Sequence, residues 1–200
     1  MTNTVGLDKL SSARKAFNQA RYLSQADLGD AEPAARSALS VARSAMDWLE
    51  DTDHFDEAHD LLHEIGRFIR STWRCSFGHD NQGYWRECPA DLAHIRCGMS
   101  PGMVIGASEC SICHQEPAEC DHINGRVYDG ERCYRIITEV KEILEVSLVS
   151  RPAQPDARIQ RVSVSTSDLQ DHLGPVWKPG MPVSCDKCLS PCPGFTFPAG

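Results

Sequence analysis

The first seventy residues repeat apolar positions at spacings of three and four. In "LDKLSSARKAFNQARYL" the residues Leu10, Ala13, Phe17 and Ala20 fall on one helical face, and Asp8 is placed to cap that helix. "DLGDAEP" breaks the pattern, with Pro33 set for a first helical turn. Ala35, Leu39, Ala42, Met46 and Leu49 then resume the spacing. After "EDTDH" a third seam follows, Phe55, Ala58, Leu62, Ile65 and Ile69. Asp53 is expected to cap it, with Asp56 near the positive helix end. Three amphipathic helices joined by short loops predict an antiparallel bundle.

Beyond Trp73 the pattern shortens. "YRIITEV", "ILEVSLVS" and "RIQRVSVS" are rich in β-branched residues and predict strands. Asn124-Gly125 and Asp129-Gly130 predict tight turns. "STSDLQDHLG" predicts a short helix ended by Gly174. The expected fold class is therefore α+β: a helical module over residues 1–72, then a small β-rich domain over 73–200.

Charge adds one feature. The chain of 200 residues carries a formal net charge of −8. Between Asp27 and Ser71, eleven Asp/Glu face four Arg, a local −7. A solvated helix face is the expectation there. An acidic chain is a poor binder of phosphate backbones, so nucleic acid is not the expected partner; a protein is. No apolar run suits a signal peptide or a membrane span, which points to the cytosol.

Cysteine changes the picture most. All ten cysteines lie from Cys75 onward. In a reducing compartment metal binding is a better expectation than disulfides. "CSICHQEPAECDHINGRVYDGERC" offers Cys110 and Cys113 as C-x-x-C, then Cys120, His122 and Cys133. Zinc takes four N or S donors in a tetrahedron. Cys110, Cys113, Cys120 and His122 complete such a set, and so does one that uses Cys133. Cys185, Cys188 and Cys192 form a second group, in need of a fourth ligand. His172 is one source. The stretch with Cys75, His79, Cys88, His94 and Cys97 is another. Two zinc ions are the expectation, with a thin β core relying on them for folding energy. A redox C-x-x-C would open a helix, and neither pair does. His59 and His63 stand four apart on one helix. "HDLLH" lacks the Glu of H-E-x-x-H, so an ordinary surface or interface pair is expected.

Two short stretches resemble known families. "CSIC…CDHI", Cys110 to Ile123, resembles the opening of HNH (ββα-metal) nucleases, where an Asp-His follows a zinc C-x-x-C and the His activates water. That would give His122 a catalytic role. The later Asn and His of such enzymes are absent. "EILEVSLVSRPAQPDARI", Glu142 to Ile159, resembles the late strand and turn of tailed-phage prohead proteases. The resemblance implies phage-related ancestry and a β-barrel serine protease fold. It places Ser100, in "CGMSPGMVIG", at the nucleophile position, with His79 or His94 as base. The residues themselves read more plainly. Val146, Leu148 and Val149 suit a buried strand, and Ser100 suits a turn. The expected function is a zinc-binding, non-enzymatic protein-interaction module; the alternatives are a serine hydrolase, active or decayed, and a zinc-dependent nuclease.

Overall fold

A computed structural model describes residues 3–197. Three long helices come first: α1 (Thr4–Gln25), α2 (Ala31–Trp48) and α3 (Phe55–Trp73). Every apolar seam position expected from the spacing is buried except Phe55, which is half-buried. Cap positions differ from expectation. Asn3, not Asp8, caps α1, its side chain accepting from the Gly6 N–H at 3.1 Å. His54 precedes α3, and Asp56 and Glu57 supply the negative charge of its first turn.

The rest of the chain is mixed. Short strands β1 (Gly78–Asp80) and β2 (Gly83–Arg86) form a hairpin, and α4 (Pro89–Leu92) follows. β3 (Gly98–Cys110), β4 (Val127–Tyr128), β5 (Glu131–Arg132) and β6 (Arg135–Val149) come next. β7 (Val162–Val164), α5 (Thr166–Leu173) and a 3₁₀ turn, Lys187–Leu189, complete the order. The sheets hold three strands (β1-β2-β7), two (β3-β6) and two (β4-β5). Among the described residues none closes on itself. The fold is thus mixed helix and sheet.

By contacts the chain forms two compact units, Met1–Gly98 with Val149–Gly200, and Met99–Leu148. This division crosses the boundary at residue 72 drawn from the sequence. The cause lies in the first unit: α4 and the C-terminal segment pack on the helices. Ala90, Ala93 and Cys188 join the bundle core. A second small core, Tyr84, Leu169, Trp177 and Val183, underlies the three-stranded sheet.

Part of the acidic run turns inward. Asp47 is buried and receives Arg96 Nη1 at 2.6 Å, with Arg43 Nε at 3.6 Å and Arg158 Nε at 3.4 Å. Glu50 pairs with Arg96 and Arg158. Arg43 Nη2 donates to the Ile159 carbonyl at 2.7 Å, and Trp48 Nε1 to Asp156 at 2.7 Å. So "RPAQPDARI" is held on α2 by buried arginine and carboxylate. The Ile159 N–H donates to the Cys97 carbonyl at 3.2 Å, and Gly98 bridges Arg158.

The second unit is a long ribbon. Gly102 faces Glu145, and Gly106 faces Glu139 and Lys141, so β3 and β6 run antiparallel. The two strands expected from "YRIITEV" and "ILEVSLVS" are one continuous strand, β6. Val146 and Leu148, expected in a buried strand, are 59% and 70% exposed. The reason is that, among the described residues, β6 pairs with β3 alone, in a two-stranded ribbon.

Candidate metal centres

The ribbon ends in a knot of cysteines. β3 delivers Cys110, and the chain turns at once. The Ile112 N–H points at Cys110 Sγ (3.4 Å), and the His114 N–H donates to the Cys110 carbonyl at 2.9 Å. This turn brings Cys113 alongside. Further on, the β4-β5 hairpin turns through Asp129 and Gly130, both at positive φ, as Asp-Gly predicts. It returns Cys133, whose N–H donates to Arg126 O at 2.7 Å. Cys110, Cys113, Cys120 and His122 then place one donor atom each within 4.8 Å of one another.

The distances suit zinc. Zn–S near 2.3 Å and Zn–N near 2.05 Å give tetrahedral edges of roughly 3.8 Å for S···S, 3.5 Å for S···N and 3.3 Å for N···N. Within the set, Cys120 Sγ and His122 Nδ1 are 3.5 Å apart; Cys133, outside it, has its Sγ 3.8 Å from Cys110 Sγ. Two backbone N–H groups, of Cys113 and Ile112, pull the Cys110 thiol down to about 6. Burial pushes Cys120 up to about 11 and raises Cys133. A metal would have to displace the protons of the raised thiols, since thiolates are the ligands, so binding here releases protons. The His122 ring stands edge-on to Tyr128, 4.6 Å between centroids. The Tyr128 hydroxyl accepts from the Ile123 N–H at 2.8 Å.

A second convergence lies in the first unit. His59 and His63 sit on one face of α3, His94 follows α4, and Cys192 comes from the C-terminal segment. Their donor atoms also lie within 4.8 Å of one another. His63 Nε2 is 3.1 Å from both His59 Nε2 and His94 Nε2. Cys192 Sγ is 3.0 Å from His94 Nε2 and 3.5 Å from His59 Nε2. Burial, then the neighbouring His59 and His94, lower His63 to about 4, so its ring is neutral near pH 7.

A looser cysteine set lines a cavity of about 330 Å³ beside α3. It comprises Cys75, Cys88, Cys185 and Cys188. The Cys185 N–H donates to the Cys75 carbonyl at 2.9 Å. The Cys88 thiol is drawn down to about 6, first by Cys188 and then by the Asp91 and Ala90 N–H groups at the start of α4. Cys188 is raised, chiefly by that same contact with Cys88. Burial raises Cys75 and Cys185.

The expected residues thus sort differently from their order in the chain. Cys185 and Cys188 find Cys75 and Cys88, as the upstream stretch allowed. Cys192 does not stay with them. Pro191 and Pro193 flank it, and the Thr196 N–H donates to the His94 carbonyl at 2.7 Å, which carries the segment to the histidines. His172 Nδ1 donates to Asp168 O on its own helix. Cys97 is buried apart from each set. The pair His59 and His63, read as ordinary, has partners after all; only the i,i+4 spacing announced it. Ser100 lies half-buried on β3, and among the described residues no histidine is hydrogen-bonded to its hydroxyl. His79 stacks on Tyr84.

No family model matches the chain, and no significant relative is found among curated proteins or solved structures.

Proposed function

We propose that the chain is a zinc-binding, non-enzymatic protein-interaction module in which the ion at the ribbon tip is structural. One observation carries this reading. Cys110, Cys113, Cys120 and His122 bring four donor atoms within 4.8 Å of one another, enough for a four-coordinate ion, and Cys133 stands 3.8 Å from Cys110. A catalytic zinc keeps a position open for water or substrate, whereas a structural one is closed by protein. Here the protein offers a donor for each of the four positions. The thin core of the second unit supports the same role: its buried hydrophobic residues are Cys110 and Cys133. Metal ligation then supplies folding energy that apolar burial does not.

Binding is assigned to the ribbon. Val104, Ile105, Ile137, Val140, Ile143 and Leu144 are exposed along it. Of the exposed residues of β6, Val140, Leu144, Val146 and Leu148 share one face, and an exposed apolar face supports contact with another protein. Among the described residues no helix is long and apolar enough to cross a membrane.

Cobalt substitution tests the assignment. The Co²⁺ protein is expected to show thiolate charge-transfer bands that added azide or cyanide leaves unchanged. A shift on adding either anion would reveal an open position and favour chemistry. Protein that is fully folded without zinc and indifferent to chelator would end the structural reading. DNA cleavage with Mg²⁺ that is lost in a folded His122→Ala variant would instead support the nuclease.

A further inference from the structure

We propose that His59, His63, His94 and Cys192 bind a second zinc-class ion, which ties the C-terminal segment to α3. This site is independent of the one at the ribbon tip.

The argument rests on which atoms face each other. His94 Nδ1 lies 3.4 Å from the Asp91 carbonyl and must carry the proton to bond it. His59 Nδ1 faces the Asp60 carboxylate at 3.6 Å. The His94 ring therefore turns an Nε2 lone pair inward, and with its Nδ1 proton toward Asp60 the His59 ring does the same. Both lone pairs meet His63 Nε2, at 3.1 Å each, and Cys192 Sγ, at 3.0 and 3.5 Å. A proton on His63 Nε2 and one on the Cys192 thiol would satisfy two of the four contacts and leave the other two without a donor. A cation at the centre satisfies all four.

Aromatic packing does not account for this arrangement. Phe195 stacks on His94, with centroids 5.6 Å apart, and lies 5.4 Å from His59. Such contacts bring rings together but do not turn three Nε2 atoms to one point. The separations come within about half an ångström of the edges of a zinc tetrahedron, roughly 3.3 Å for N···N and 3.5 Å for S···N. The His94 bond to the Asp91 carbonyl is the kind of outer contact that usually orients a metal-binding imidazole; the Asp60 carboxylate lies on the same outer side of His59. His59 and His63, four apart, share one face of α3, as two ligands on one helix must.

The site also has an entrance. His59, His63 and Cys192 line a polar cavity of about 610 Å³ with Arg14, Glu57 and Arg67. Cys192 is exposed and His94 buried. An ion can thus enter from solvent and draw the tail down last. Three imidazoles and one thiolate favour Zn²⁺ or Co²⁺ over Mg²⁺ or Ca²⁺, which take oxygen donors.

The test uses the full chain, Zn²⁺ alone and a competing chelator. Wild type, Cys192→Ser and His59→Asn/His63→Asn are equilibrated, and bound zinc per chain is counted. Both variants are expected to hold one ion fewer than wild type. Cys110→Ala should lose the other ion and keep this one. In the Co²⁺ form, Cys192→Ser should lose the thiolate charge-transfer intensity that belongs to this site. The segment around Cys192 should also become open to protease in wild type once chelator is added. An unchanged ion count in Cys192→Ser overturns the proposal. That variant decides even if the double histidine variant misfolds, because Cys192 is exposed and its loss opens no core.

Discussion

Cys110 Sγ and Cys133 Sγ lie 3.8 Å apart although 23 residues separate them in the chain. The C-x-x-C turn and the Asp-Gly hairpin each deliver one of them. His122 and Cys133 therefore compete for the fourth position. The mutual placement of Cys110, Cys113, Cys120 and His122 favours His122. Cys110→Ala and Cys113→Ala are expected to abolish zinc at the tip. Cys133→Ser should retain the ion with weaker affinity, whereas His122→Ala should lose it against the same chelator. Zinc retained in His122→Ala and lost in Cys133→Ser would assign the position to Cys133.

Asp47 is the centre of a buried charge cluster. Removing it leaves Arg96 and Arg158, each with 1% exposed side chains, short of a counter-charge. Loss of one partner from a buried pair costs about 3–5 kcal/mol. Asp47→Ala should lower unfolding stability by that amount in urea. Glu57→Ala is the control: its pair with Arg14 is exposed, and the change should stay within about 1 kcal/mol.

Gly66 lies where α3 passes the cysteine cavity. A Cβ there would meet Cys188 Sγ at 2.8 Å and Ala90 Cβ at 3.3 Å. A methyl group favours a helix interior by roughly 1 kcal/mol on propensity alone. Overpacking should reverse that gain, for a net loss of about 1–2 kcal/mol in Gly66→Ala. Stabilisation by the substitution would show that the contact relaxes freely.

Chelation should act unevenly. The amides of residues 110–134 are expected to lose hydrogen-exchange protection when zinc is removed. Those of Leu39 and Met46 should keep theirs, because they lie in a core that, among the described residues, is built chiefly of apolar side chains from α1, α2 and α3. Uniform loss across the chain would show that the helices too depend on the ion.

Ser100→Ala should behave as wild type. A serine nucleophile needs a base within hydrogen-bond reach, and the Ser100 hydroxyl has no histidine partner among the described residues. A serine-reactive probe is expected to leave the protein unlabelled. Labelling that disappears in Ser100→Ala would revive the hydrolase.

The helical seams were legible because each helix buries one stripe, and Leu10 through Ile69 follow the 3.6-residue period. The turns at Asp129-Gly130 and Gly174 were legible because their positive φ calls for those residue types. Long-range pairing was not. Nothing local tells Cys192 to leave Cys188 for His94, since that choice is made by backbone pairing near Thr196. The exposure of Leu148 was hidden for a similar reason. Apolar alternation marks a strand but not whether another layer covers it. Asp47 and Glu50 read as part of a solvated run, because the arginines that draw them inward lie 46 to 111 residues away.

The bridge between Gly98 and Arg158 has a consequence for ancestry and engineering. The chain leaves the first unit and re-enters it at neighbouring points, with the Cys97 carbonyl bonded to the Ile159 N–H. Residues 99–148 are therefore an excursion from an otherwise closed body. Such a segment can be gained, lost or exchanged as a cassette, with a short linker joining its two ends.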